Sequence, residues 1–128
     1  MSVWLIACTS YVDLILIIDV SGSIQFERIG VVREFIVSII ADLDVGPNST
    51  RVGAVYFSEE AYAAFSLDQY QSRQDVQEAI RYIPYIGGRT NVAAGLRVAR
   101  TNLLQANRAA RALSLPLCFL NYSSHRLL

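Results

Sequence analysis

Apolar and polar residues fall along this chain in blocks of different period. A continuous apolar run, Leu14 to Ile18, rich in β-branched residues, leads into Asp19 and the triplet Ser21-Gly22-Ser23. Such a run reads as a strand buried on both faces of a parallel sheet. A buried helix segment has the same pattern, and the Ser-Gly-Ser break favours the strand. Apolar residues then recur at Phe26, Ile29, Val32, Phe35, Ile36, Ile39, Ile40 and Leu43, with Glu27, Arg28, Arg33, Glu34 and Asp42 between them. That spacing predicts a helix packed on the sheet, ended by the breaker pair Gly46-Pro47. Arg51 to Ser58 predicts a second strand and Ala61 to Leu67 a third. Only Glu59-Glu60 separates them, so the connection is an antiparallel hairpin at the edge of an otherwise parallel sheet. Ser72-Arg73-Gln74-Asp75 has the form of a capped helix start. Val76, Ala79, Ile80 and Ile83 mark a short helix that Pro84 closes. Gly87 to Asn91 predicts a loop, and Val92, Leu96, Ala99, Leu103 and Ala106 the apolar face of a further helix. Leu115 to Tyr122 is the only later segment of strand-like length and apolar content. Pro116 has no amide to donate and fits only at the start of such a strand.

Composition narrows the classes. The chain has 128 residues, 53% hydrophobic and 17% charged, which suits one folded domain rather than a disordered chain. Eleven basic and eleven acidic residues cancel, without a like-charge block, so nothing points to nucleic acid. Met1 to Val12 is apolar but lacks the basic start and small-residue cleavage site of a secretory signal. Asp13 argues against reading it with the next strand as a membrane span, since an acid at mid-membrane costs about 2.5–3.5 kcal/mol. Cys8 and Cys118 leave one disulfide open. His125 stands alone and makes neither a triad nor a closed metal site.

The candidate chemistry lies just after the first strand. In open α/β sheets ligands collect at the carboxyl ends of strands. Asp19, Ser21 and Ser23 are there, and all three offer oxygen, the donor that hard divalent cations take. The alternative is that Asp19 caps a turn and the serines satisfy loop backbone.

The motif DVSGS after an apolar strand resembles the metal-ion-dependent adhesion site (MIDAS) of von Willebrand factor type A domains. QFERIGVVREFIVSIIADLDVGPNSTRVGAVYFS resembles the first helix, loop and second strand of such domains in matrilins and fibril-associated collagens. FSLDQYQSRQDVQEAIRYIPYIGGRTNVAAGLRVA resembles the third strand, a short helix and the loop carrying the family's metal-site threonine. The resemblance covers about Cys8 to Asn107. It implies an α/β fold, a Rossmann-like, mostly parallel sheet flanked by helices, with strand order three-two-one and incomplete at the carboxyl end. It divides the chain into a lead-in at 1–12, the amino-terminal part of an A domain at 13–107 and an unmatched tail at 108–128. It also implies metal ligands at Asp19, Ser21, Ser23 and Thr90, taking Mg²⁺, with Mn²⁺ or Ca²⁺ as alternatives. The family's last acidic ligand has no counterpart here, where Asn121 to Ser123 stand near its expected place, so weak binding is expected. Leu117 to Asn121 is expected beside Leu14–Ile18, the alternative being a foreign, unstructured tail. In the family a cysteine precedes the first strand, as Cys8 does, with a partner that would lie past this chain's end.

What the resemblance implies functionally is an extracellular, secreted protein-binding module, part of a longer protein, meeting matrix or cell-surface proteins through a carboxylate on the partner. Asn48-Ser49-Thr50 is a glycosylation sequon on a predicted loop, consistent with secretion, the alternative being an unmodified turn. The alternatives are a non-catalytic intracellular A domain in a multiprotein assembly, or a non-functional fragment. An enzyme is not expected. The acid after a first strand also resembles haloacid-dehalogenase phosphatases, but these need a second acid where this chain has Ser21. No P-loop or Gly-x-Ser-x-Gly elbow is present. Gly87 and Gly88 are assigned to backbone geometry and Asn91 to a helix cap. Tyr70, Tyr82 and Tyr85 suit either a partner surface or amphipathic packing.

Overall fold

The computed structural model describes residues 12–104 and the backbone of 117–122. The lead-in, Cys8, Ala106, Ser123 and His125, and the side chains of Cys118 and Asn121, lie outside the described residues.

The central strand β1, Val12–Asp19, pairs in parallel with β2, Thr50–Phe57, from Val12 opposite Thr50 to Asp19 opposite Phe57. On its other side it pairs in parallel with β4, Leu117–Tyr122, from Asp13 opposite Leu117 to Ile18 opposite Tyr122. The edge strand β3, Ala61–Phe65, runs antiparallel to β2, giving the order β3-β2-β1-β4. The hairpin dictated by Glu59-Glu60 is therefore present. The strand is shorter than its apolar run, because Leu67 has left the ladder and packs under the sheet, fully buried.

The two faces of β1 explain its unbroken apolar run. Leu14, Leu16 and Ile18 point to one side, into a core with Val52, Ala54, Val32, Ile36, Ile40, Val76 and Ile80. Ile15 and Ile17 point to the other, with Val55, Phe57, Leu67, Ala99 and Leu103. Alternate residues of a strand face opposite ways, so a strand covered on both sides needs every position apolar.

Helix α1, Ile29–Ala41, and helix α2, Arg73–Arg81, cover the first face. Ser72 caps α2 by accepting from the Asp75 amide at 3.2 Å. The predicted long helix begins later than its periodicity suggests. Phe26–Arg28 is a 3₁₀ turn, and Phe26 is 66% exposed instead of lying on the buried face. The tighter winding of a 3₁₀ turn rotates its side chains off the apolar stripe of the helix that follows.

Helix α3, Val92–Val98, covers the second face and continues as a π-helical segment, Ala99–Leu104. The predicted apolar face is corrected here. Val92 and Leu96 are exposed, and Ala94, Gly95, Ala99 and Leu103 are buried. The reason is close approach. A Cβ on Gly95 would stand 2.8 Å from the Phe57 ring, and one on Gly53 of β2 would stand 2.6 Å from the Leu103 side chain. A helix this near a sheet must turn small residues inward, which periodicity of large apolar residues does not register.

At the amino end of the sheet, Asp13 and Arg51 stand opposite one another in register. Arg51 Nε and Nη2 donate to the two Asp13 oxygens at 2.7 and 2.6 Å, and both residues are buried. That hydrogen-bonded carboxylate holds the Arg51 guanidinium above its ordinary pKa, against the opposing effect of burial.

Candidate metal centre

At the carboxyl end of β1 the chain must leave the sheet, and Asp19 sets how. Its Oδ1 accepts from the Ser21 amide at 2.8 Å, closing an Asx turn. The chain then bends, and Ile24 donates back to the Ser21 carbonyl at 3.0 Å. The bend brings the Ser23 hydroxyl to Asp19 Oδ2, to which it donates at 3.1 Å. Turn capping and oxygen clustering are thus both present in the same carboxylate, with lone pairs to spare.

A second loop closes on this one. Gly87 and Gly88 both have φ of +78°, the left-handed region that glycine takes without strain. Ile86 and Gly87 donate to the Val20 carbonyl at 3.2 and 2.9 Å, and the Gly22 amide donates to the Gly88 carbonyl at 2.9 Å. A Cβ on Gly22 would lie 3.1 Å from that carbonyl oxygen, so the close approach suits glycine at position 22. The Asn91 amide donates to the Ser58 carbonyl at 2.8 Å, and Asn91 Oδ1 caps α3 by accepting from the Ala94 amide at 3.1 Å. Thr90 is held between these anchors.

The consequence is a triangle of hydroxyls. Ser21 Oγ lies 2.7 Å from Ser23 Oγ and 2.7 Å from Thr90 Oγ1, and Thr90 Oγ1 donates to Ser23 Oγ at 3.3 Å. All four residues expected at a metal site therefore meet at one place. Asp19 and Ser21 are buried, while Ser23 and Thr90 open to solvent. Buried carboxylates are ordinarily paired with a cation, yet among the described residues none forms an ion pair with Asp19. Octahedral Mg²⁺ with oxygens at about 2.0–2.1 Å has edges of roughly 3 Å, the spacing of these hydroxyls. The donor set therefore fits a hard divalent cation, with one anionic ligand. Among the described residues, three or more His, Cys, Asp or Glu side chains nowhere cluster. The register of β4 ends with Tyr122 beside Ile18, one residue short of Asp19.

Two anchoring features have no signal in the local sequence. The Ser58 carbonyl holds Asn91, and the Asp13–Arg51 pair holds the register of β1 and β2. Both depend on strand pairing, although an acid and an arginine at the starts of two neighbouring strands would have hinted at the pair. Asn48 is exposed in the turn before β2, at the far end of the sheet from Asp19. Tyr85 packs edge-on against Phe26 with centroids 5.5 Å apart, Tyr70 packs likewise against Phe65 at 5.3 Å, and Tyr82 is exposed.

A mostly parallel sheet between helical layers, with an acid and three hydroxyls at the carboxyl end of its central strand, defines a three-layer α/β domain of the doubly wound class. The chain belongs to the von Willebrand factor type A domain family, whose profile matches residues 13–122 and so runs through β4. It is 33% identical over 99 residues to mouse von Willebrand factor A domain-containing protein 1, covering 77% of this chain and 24% of that protein. It is 32% identical over 108 residues to the human collagen alpha-6(VI) chain, covering 84% of this chain and 5% of that one. The chain thus spans a quarter or less of the curated relatives it matches. Among solved structures it resembles proximal thread matrix protein 1 from the mussel byssus, with a TM-score of 0.71 and 26% identity, covering 80% of this chain and 28% of that one. The same mussel protein, in a form described as having a zinc-occupied MIDAS motif, matches with a TM-score of 0.67 and 27% identity, covering 74% of this chain and 26% of that one.

Proposed function

We propose that this chain is a non-catalytic protein-binding module whose Asp19, Ser21, Ser23 and Thr90 hold a divalent cation, Mg²⁺ with Mn²⁺ or Ca²⁺ as substitutes. The observation that carries this reading is the convergence of these four side chains from the end of β1 and two loops: the three hydroxyls lie 2.7–3.3 Å apart, and Ser23 links them to the Asp19 carboxylate at 3.1 Å. The metal-occupied form of the mussel relative supports it. When bound, the cation supplies a positive centre whose neutral hydroxyl ligands leave it attractive to a carboxylate. Asp19 provides the only negative charge of the set, and its turn hydrogen bond keeps the carboxylate oriented toward the hydroxyls. Ser23 and Thr90, exposed, form the face that a partner reaches.

The partner in this reading is an extracellular matrix or cell-surface protein, and the module works in a secreted protein longer than this chain. The similarity to a collagen VI chain supports that setting. Asn48 carries the glycan. It lies at the opposite end of β2 from the oxygen cluster, so a sugar there leaves the binding face free.

A Mg²⁺ titration followed by NMR tests the reading. With one anionic ligand, affinity is expected at about 10⁻³ M or weaker, at the weak end of extracellular sites. Amide shifts should centre on residues 19–23 and 88–91. Asp19→Ala should abolish them and Thr90→Ala weaken the binding. Identical titration curves for wild type and Asp19→Ala would overturn the proposal.

A further inference from the structure

Both loops of the oxygen cluster are pinned to the same short piece of chain, the end of β2 and the turn after it. The Val20 amide, between Asp19 and Ser21, donates to the Phe57 carbonyl at 2.9 Å. The Asn91 amide, next to Thr90, donates to the Ser58 carbonyl at 2.8 Å. The Asn91 side chain takes the next carbonyl along, its Nδ2 donating to Glu59 at 3.3 Å. The consecutive carbonyls of Phe57, Ser58 and Glu59 thus set where the two loops stand relative to each other. Of these bonds, the last alone comes from a side chain. The same side chain caps α3, its Oδ1 accepting from the Ala94 amide at 3.1 Å. Capping by itself is served equally well by Asp or Ser. An aspartate has no donor for the Glu59 carbonyl, and a serine side chain ends one bond short of it. An amide, acceptor at one end and donor at the other, meets both partners at once.

Thr90 takes its place from this anchor. Its hydroxyl completes the triangle at 2.7 Å from Ser21 Oγ and 3.3 Å from Ser23 Oγ. Those edges are the size for Mg²⁺. Ca²⁺, with oxygens at about 2.3–2.6 Å, needs octahedral edges of roughly 3.3–3.7 Å, so it enters only if Thr90 draws back. Selection between the two ions follows cavity size and the flexibility of the ligands.

We propose that Asn91 is a positioning residue for the cation site: by tying the Thr90 loop to the Glu59 carbonyl, it holds the hydroxyl triangle at the size of a small ion and sets the preference for Mg²⁺ over Ca²⁺. The inference rests on the cation-binding reading above and adds what governs the selectivity of that site. Asn91 acts through Thr90 and is not itself a ligand.

Asn91→Ser in the full chain tests this, with Mg²⁺ and Ca²⁺ titrations read from the amide shifts of residues 19–23 and with urea unfolding. Serine keeps the cap, so stability should stay close to that of wild type. Mg²⁺ binding should weaken about fivefold while Ca²⁺ binding changes by less than about twofold, the size of effect one hydrogen bond supplies. In the metal-free protein, ¹⁵N relaxation should show the Thr90 amide gaining fast motion while residues 21–23 stay as they were. Asn91→Ala, which loses the cap as well, should repeat the change in preference on top of a loss of stability. Asn91→Ser that binds both ions as wild type does, or weakens for both alike, overturns the inference: Asn91 then serves the helix alone, and the cation reading stands. If wild type binds neither ion, or binds them unchanged in Asp19→Ala, the cation reading falls and this inference with it.

Discussion

Individual residues in this fold divide by how local their task is. Asp19, Ser21 and Ser23 could be read from the sequence because one short turn after an apolar strand holds all three. Thr90 came only through the family resemblance, since a hydroxyl far along the chain has no pattern of its own. Asp13 and Arg51 were not legible as a pair, because only the parallel register sets them opposite. Their test is Asp13→Asn. Removing one partner of a buried pair leaves the other charge uncompensated, which costs about 3–5 kcal/mol. Urea unfolding of the variant should show that loss, and a change below about 1 kcal/mol would mean that Arg51 finds water instead. Gly95 offers a second case. Gly95→Val puts a branched side chain where a Cβ already stands 2.8 Å from Phe57. Overpacking of this kind costs about 1–3 kcal/mol, and the melting temperature should drop accordingly.

Elements were legible where their period was clean. The alternation hidden in β1 resolves once both faces are seen to be covered, and α2 was announced by its cap. Ser72→Ala removes the acceptor for the Asp75 amide and should lower stability by about 0.5–2 kcal/mol, again by urea unfolding. Of the face expected for the last helix, Ala99 and Leu103 do meet the sheet, but Val92 and Leu96 do not, because Ala94 and Gly95 take the inner positions of α3. A period scale weighted by side-chain size points the wrong way when packing is closest. The helices α1 and α2 are joined on the surface by Arg81, which donates to Glu34 at 2.8 Å. This hydrogen bond holds Glu34 below its ordinary pKa of about 4.5. A carboxylate depressed in the folded state stabilises above its unfolded pKa and loses that contribution as pH falls through the folded value. The melting difference between wild type and Glu34→Gln should therefore be small at neutral pH, as befits an exposed pair, and should fade as acid takes the pH down through the lowered folded value of Glu34. A difference that grows on acidification would contradict the pairing.

For the whole molecule, the sequence shows a doubly apolar strand, a short hairpin and one late apolar run, while the order in which they pair was implied by the family resemblance. The placement of β4 has its own measurement. Within Leu117–Tyr122, amides that face β1 should exchange far more slowly than those of an unfolded chain, and coil-like exchange throughout would contradict the ladder. Glycosylation at Asn48 should leave Mg²⁺ shifts at residues 19–23 unchanged, since the glycan sits at the other end of β2. The Ser21–Thr90 contact joins residues 69 positions apart, and this bears on the order of folding. Closing so long a stretch of chain costs entropy that must be met before the contact returns anything. Helix α1, the β2–β3 hairpin and α2 all lie between the two loops, so the hydroxyl triangle forms after them. An ion held there recognises only finished molecules. Mg²⁺ should accordingly leave the refolding rate nearly unchanged and slow unfolding, the signature of an interaction absent from the transition state. The oxygen cluster is then also a clasp that closes only once the chain between its two loops has taken shape.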